Sequence, residues 1–178
     1  MKDPAAPFLF DMASLVLVGM MGSGKTTVGR IIAARLEVPF KDTDKLIQHK
    51  LGRAVHQLFL HYGEDAFRQH ESRVLQDLPD EDCVISTGGG TVLREENWKE
   101  LRRLGTTVFL DVDVEVLKSR LKVARKVRPL LEVPGWEDRV EQILEERRPM
   151  YERADFVVRL IGQEAPEVAD LVQQALQP

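Results

Sequence analysis

The apolar run Leu15-Val16-Leu17-Val18 leads directly into Gly19-Met20-Met21-Gly22-Ser23-Gly24-Lys25-Thr26. The pattern Gly-x-x-x-x-Gly-Lys-Thr, set after a strand and before a helix, is a phosphate-cradling loop. Its glycines let backbone N–H groups converge on phosphate oxygens. Lys25 adds a charge, the helix N-terminus adds its dipole, and the Thr26 hydroxyl is placed to ligate Mg²⁺. One ligand, a nucleoside triphosphate, follows from this segment, and so does one local fold, strand–loop–helix. The phosphoryl acceptor does not.

The rest of the chain repeats that alternation. Short, partly β-branched apolar runs at 15–20, 84–86, 107–110 and 156–158 suit buried parallel strands, and Phe40 marks a fifth, very short one. Between them lie stretches of helical spacing. Val28, Ile31, Ile32 and Leu36 share one face of a helix from Lys25, and 98–104 and 113–121 behave alike. Val140, Ile143 and Leu144 mark a helix ending near Pro149, and Val168, Leu171, Val172 and Ala175 mark a last one after Pro166. The pattern predicts an α/β fold: a five-stranded parallel sheet with helices on both faces. Ligands of such sheets gather at the C-terminal ends of strands, which puts 19–26, 42–44 and 88–90 on one rim.

With 178 residues and neither repeat nor linker, the chain is expected to be a single domain, 1–178, with a tail over about 1–13. At 43% hydrophobic and 30% charged residues, with no long apolar run, the composition is that of a globular protein and not a membrane span. Residues 1–11 lack a basic region followed by a long apolar segment, so no leader is expected. Cys83 is the single cysteine and cannot form an internal disulfide, which fits a reducing cytoplasm; as a side chain it reads as a buried strand residue. A net charge of −4 argues against broad nucleic-acid binding. The four histidines show no ligand spacing for zinc.

Several groups carry two readings each. Asp42-Thr43-Asp44 suits a helix N-cap, but on the rim its carboxylates would also lie near the triphosphate, one holding Mg²⁺ through water and one orienting an acceptor hydroxyl. Arg68 pairs with Glu64 as a solvated helix face does, or it belongs to a site with Glu71. Gly88, Gly89 and Gly90 build a strained turn or let a ligand approach the backbone. Arg120, Lys122, Arg125, Lys126 and Arg128 form an acid-free cluster: a solvated face, a nucleic-acid patch without stacking aromatics, or a lid that closes over the triphosphate. Arg147 complements a helix dipole or clamps a carboxylate.

Taken together, these elements resemble the shikimate kinase family. The resemblance rests on residues 19–30, on Asp42-Thr43-Asp44, on Gly63-Glu64 followed by Phe67-Arg68 and Glu71, on 86–90, on Arg128-Pro129-Leu130-Leu131 and on Arg147-x-Pro-Met-Tyr. It implies a P-loop kinase fold with a mobile lid over about 120–137 and transfer of the γ-phosphoryl group of ATP to the 3-hydroxyl of shikimate, a step towards chorismate and the aromatic amino acids. ATP would meet Gly22, Ser23, Gly24, Lys25, Thr26, Thr27, Arg120 and Arg128. Shikimate would meet Asp44, Arg68, Gly88, Gly89, Gly90 and Arg147, the two arginines taking its carboxylate. Asp44, Lys25 and Arg128 would be catalytic, with Mg²⁺ on Thr26 directly and on Asp42 through water. Members often carry an arginine beside the adenine where this chain has Gln163-Glu164-Ala165.

Gluconate kinase, which also takes a carboxylated polyol, is the nearest rival, and a nucleotide-dependent switch without catalysis is the rival from another class. Phe67-Arg68 with 88–90 favours shikimate over the first, and the retention of Asp44 and both arginines favours catalysis over the second. A cytoplasmic monomer with small-molecule partners only is expected.

Overall fold

In a computed structural model, residues 14–123 and 134–177 are described. Five parallel strands, β1 (Ser14–Val18), β2 (Phe40–Asp42), β3 (Cys83–Ser86), β4 (Gly105–Val112) and β5 (Phe156–Leu160), lie in the order β2-β3-β1-β4-β5. Helices α1 (Lys25–Leu36), α2 (Thr43–Leu51), α3 (Val55–Asp77), α4 (Glu95–Leu104), α5 (Val114–Val123), α6 (Trp136–Tyr151) and α7 (Ala165–Ala175) connect and follow them. Every residue of β1 is buried although alternate side chains point to opposite faces, so both faces of the sheet are covered.

The chain leaves β1 in one direction for β2 and β3 and later returns on its other side with β4 and β5. Leu15 pairs with Val84 of β3 and with Thr106 of β4. The cleft therefore opens where the strand order reverses, beyond the ends of β1 and β3. Val16, Leu17, Ile85, Val108, Phe109 and Leu110 form the dry centre, each 0% exposed. Each such side chain contributes about 1.5–3 kcal/mol relative to an exposed one. α1 approaches β2 at Gly29, where any Cβ would lie 2.7 Å from the Phe40 ring.

A second apolar cluster, Ile47, Leu58, Phe67 and Val74, joins α2 to α3 apart from the main core. It sets the position of α3, which bends at Gly63 (φ 78°, ψ 170°). Helix is present on both sides of that glycine, whereas only the part after it was expected. The part before carries helical spacing too, with Val55, Leu58, Phe59 and Tyr62 at i, i+3, i+4 and i+7, and its buried Leu58 packs in the second cluster.

α6 runs through Pro149 and ends at Tyr151, close to the end expected near Pro149. Proline there removes one donor near the helix end, but the ladder continues, with Glu152 N–H donating to Arg148 O at 2.9 Å. β4 is longer than its apolar run because polar Thr106 and Asp111 sit at half-buried positions. Among the described residues, no helix is long and apolar enough to cross a membrane.

Candidate active site

The phosphate loop closes on itself. Ser23 N–H donates to Met20 O at 3.2 Å, and Gly24, at φ 95°, caps α1 in a left-handed conformation that glycine adopts without a Cβ penalty. Lys25 is buried and folds back, its Nζ donating to Gly19 O (2.8 Å), Met20 O (2.9 Å) and Ser23 Oγ (3.3 Å). The ammonium is thus stationed in the concave side of its own loop.

Beside it, Thr26 Oγ1 donates to Asp42 Oδ2 at 2.8 Å and lies 3.4 Å from Ser86 Oγ. Asp42 Oδ1 accepts from Lys45 N–H at 3.2 Å, so the aspartate caps α2 and faces Thr26 at once. The cap expected of Asp42 is present, and its second oxygen meets the Thr26 hydroxyl on the rim. Hydroxyl and carboxylate oxygens of this kind suit Mg²⁺, which takes one or two carboxylates and completes its shell from phosphates and water. Ser86, the last residue of β3, was not expected in this group; it arrives there because Asp42 and Ser86 are register partners across β2 and β3.

A cleft of about 720 Å³ runs along this rim. Gly22, Ser23, Gly24, Lys25, Thr26, Thr27, Asp42, Asp44, Gly89 and Arg120 all line it, as expected from the sequence. Lys45 and Gln48 of α2 line it too, and no sequence signal set them apart from an ordinary exposed helix face. At the far end Arg120 bridges the two sides, donating to Ser23 O at 3.5 Å and to Gln163 O at 3.3 Å. Glu164, Ala165 and Val168 complete that end, so the segment that departs from the family pattern lies on the cleft.

Behind Gly89 stands a second wall. Arg68, only 6% exposed, donates to Glu71 Oε2 at 2.5 Å and to Glu64 Oε1 at 2.8 Å, while its Nε is buried with no partner. The pairing with Glu64 is thus present, and Arg68 is at the same time buried beside Glu71. Burial works against the guanidinium's charge, but Glu71 and then Glu64 hold its proton affinity above the ordinary value. Glu71 is pushed up by burial; Arg68 opposes that shift and the nearby charge of Asp44 adds to it.

The triglycine turn fits between these groups without room for side chains. A Cβ on Gly88 would lie 2.3 Å from Glu71 Oε1 and 2.8 Å from Asp44 Oδ1, and one on Gly90 would lie 2.1 Å from the Arg68 guanidinium. Gly88 N–H donates to Thr43 Oγ1 at 3.0 Å. From α6, Arg147 Nη1 donates to Gly89 O at 3.4 Å. Arg68, Gly88, Gly90 and Arg147 are thus assembled around Gly89, next to Asp44. Arg128 and residues 124–133 of the expected lid lie outside the described residues.

A parallel sheet with a phosphate loop at its reversal point, facing a carboxylate and two buried arginines, defines a P-loop kinase for a small anionic acceptor. The chain belongs to the shikimate kinase family, whose sequence pattern it matches over residues 21–177. Its activity is that of the family, ATP-dependent phosphorylation of a hydroxyl of shikimate.

The chain is 39% identical to a shikimate kinase of Thermodesulfovibrio yellowstonii, covering 90% of this chain and 93% of that one. It is 43% identical to a shikimate kinase of Bacteroides fragilis, covering 82% and 84%. The structure of shikimate kinase from Acinetobacter baumannii in complex with shikimate superimposes with a TM-score of 0.87 at 34% identity, covering 93% of each chain. A gluconokinase from Sinorhizobium meliloti, 20% identical with a TM-score of 0.58 over 92% and 91% of the two chains, shares the fold alone.

Proposed function

We propose that this chain transfers the γ-phosphoryl group of ATP to the 3-hydroxyl of shikimate with a fixed division of labour along the cleft. The observation that carries the reading is that Asp44 and the phosphate loop line one cavity while Arg68 and Arg147 stand just behind Gly89. A cavity of about 720 Å³ is of the size that small-molecule sites adopt.

Lys25 and the loop N–H groups take the phosphate oxygens, and Arg120 lies against the base. Thr26 would hold Mg²⁺ directly and Asp42 through water; when bound, the ion supplies charge neutralisation between phosphates. Arg68 and Arg147 present planar forks to the acceptor's carboxylate, which a lysine cannot match. Asp44 accepts a hydrogen bond from the 3-hydroxyl and takes its proton as that oxygen attacks the γ-phosphorus; the bond from phosphorus to the β–γ bridging oxygen breaks, and ADP leaves with that electron pair. Such transfer needs alignment and charge neutralisation more than covalent help.

By the same reading the chain is one kinase domain, a cytoplasmic monomer without nucleic-acid or membrane partners. Arg128 is its lid arginine, closing onto the phosphates from the segment 120–137.

The test is ADP release from MgATP offered shikimate, gluconate and nucleoside monophosphates in parallel. Release is expected with shikimate alone. Background release with shikimate, or equal release with gluconate, overturns the reading.

A further inference from the structure

Two side chains of α6 converge on one backbone carbonyl. Tyr151 Oη donates to Gly89 O at 2.5 Å, and Arg147 Nη1 reaches the same oxygen at 3.4 Å. Four residues apart, they lie on one face of the helix. Tyr151 is 0% exposed, and its ring stacks on Phe109 of β4 with centroids 5.0 Å apart and planes at 20°. Burial pushes the phenol up from its ordinary value against the pull of Arg147, so the oxygen keeps its proton and remains a donor. The neighbouring Arg148 grips both oxygens of Asp111 in β4 through Nη1, at 2.8 and 2.9 Å, which fixes the rotation of α6.

On its other side Gly89 touches the phosphate loop. A Cβ there would lie 3.2 Å from Met21 N and 3.5 Å from Gly19 O. One peptide unit thus separates the donor loop from the acceptor's arginine, and its carbonyl is held by a short bond to Tyr151 and a long one to Arg147.

We propose that Tyr151 is a positioning residue for phosphoryl transfer: its O–H fixes the Gly89 peptide against the phosphate loop and, by satisfying that carbonyl, leaves Arg147 to the acceptor's carboxylate. The inference rests on the role given to Arg147 above. Without the phenol proton, the part-buried Gly89 carbonyl would keep Arg147 as its side-chain donor, and the arginine would be drawn back from the substrate.

Tyr151→Phe tests this because it keeps the ring and its stack on Phe109. The shikimate KM should rise about tenfold, the worth of one hydrogen bond near 1.4 kcal/mol, with kcat falling only a few-fold and the MgATP KM within twofold of wild type. In an Arg147→Lys background the same change should raise the shikimate KM by less than twofold, since residues acting through one another are not additive. A lower unfolding temperature with an unchanged shikimate KM would assign the bond to stability alone and overturn the proposal. Full additivity of the two substitutions would overturn it as well. Wild-type protein that turns over ATP only with another acceptor sinks the functional reading itself, and this inference with it.

Discussion

The donor loop and the acceptor wall lie side by side but are held by different means. The loop is contiguous: residues 19–26 follow a strand with every residue buried, and Lys25 bonds to carbonyls of its own turn. The wall draws Asp44 and Thr43 from α2, Arg68 and Glu71 from α3, the turn 88–90 from beyond β3, and Arg147 and Tyr151 from α6. Thr43 Oγ1 and Tyr151 Oη meeting backbone atoms of the turn, and Thr91 Oγ1 donating to Glu71 Oε1, hold those pieces together. A local loop grips its ligand even when its surroundings shift, whereas an assembled wall loses alignment whenever one joint loosens. Substitutions in the wall should therefore spoil acceptor use and turnover while leaving nucleotide binding intact.

The sharpest way to break that contrast is Asp44→Asn. The side chain keeps its shape and loses its capacity to take a proton, and general-base catalysis is worth about 10²–10⁴ in rate. We expect kcat to fall by about that factor while ADP affinity stays within twofold. Near-normal turnover would remove Asp44 as the base, and a parallel loss of ADP affinity would show that donor and acceptor sides are not separable.

A smaller effect is expected from Arg68→Lys. The guanidinium serves Glu71 and Glu64 and has a buried Nε to spare, and an ammonium reproduces the charge but not the fork. Losing one charge-assisted hydrogen bond, about 1.5–3 kcal/mol, should raise the shikimate KM about 10- to 100-fold with the MgATP KM unchanged. Equal rises in both would mean that Arg68 holds the fold and not the acceptor.

The same contrast explains what the sequence made legible. The loop, its strand and its helix are one uninterrupted signal, so Lys25, Thr26 and the glycines could be placed by inspection. The wall's arginines and glycines were recognisable as types, but their joints were not. Ser86 reaches Thr26, and Thr43 reaches Gly88, only because β2 pairs with β3, and strand order is not written in any local pattern. The Tyr151–Gly89 bond spans 62 residues, and no local pattern shows that the end of α6 meets the turn after β3. The cap made by Asp42 was legible because capping is a local rule, whereas its contact with Thr26 depends on where β2 lies in the sheet.

Thr43 offers the finest test, since its role is purely that of a joint. It is 1% exposed, opens α2, and its hydroxyl accepts from Gly88 N–H at 3.0 Å. Thr43→Val conserves volume and branching but leaves that buried N–H without an acceptor. An orphaned buried donor costs about 1–2 kcal/mol, which in a protein of this size lowers the unfolding temperature by roughly 2–8 °C. Gly88 lies against Glu71 and Asp44, so slack there reaches the acceptor's hydroxyl before it reaches the triphosphate. The kcat/KM for shikimate should drop about three- to tenfold, and MgATP binding should stay at the wild-type level. If instead nucleotide affinity fell as far as kcat/KM, the turn 88–90 would belong to the donor side, and the division between loop and wall would have to be drawn on the far side of Gly89.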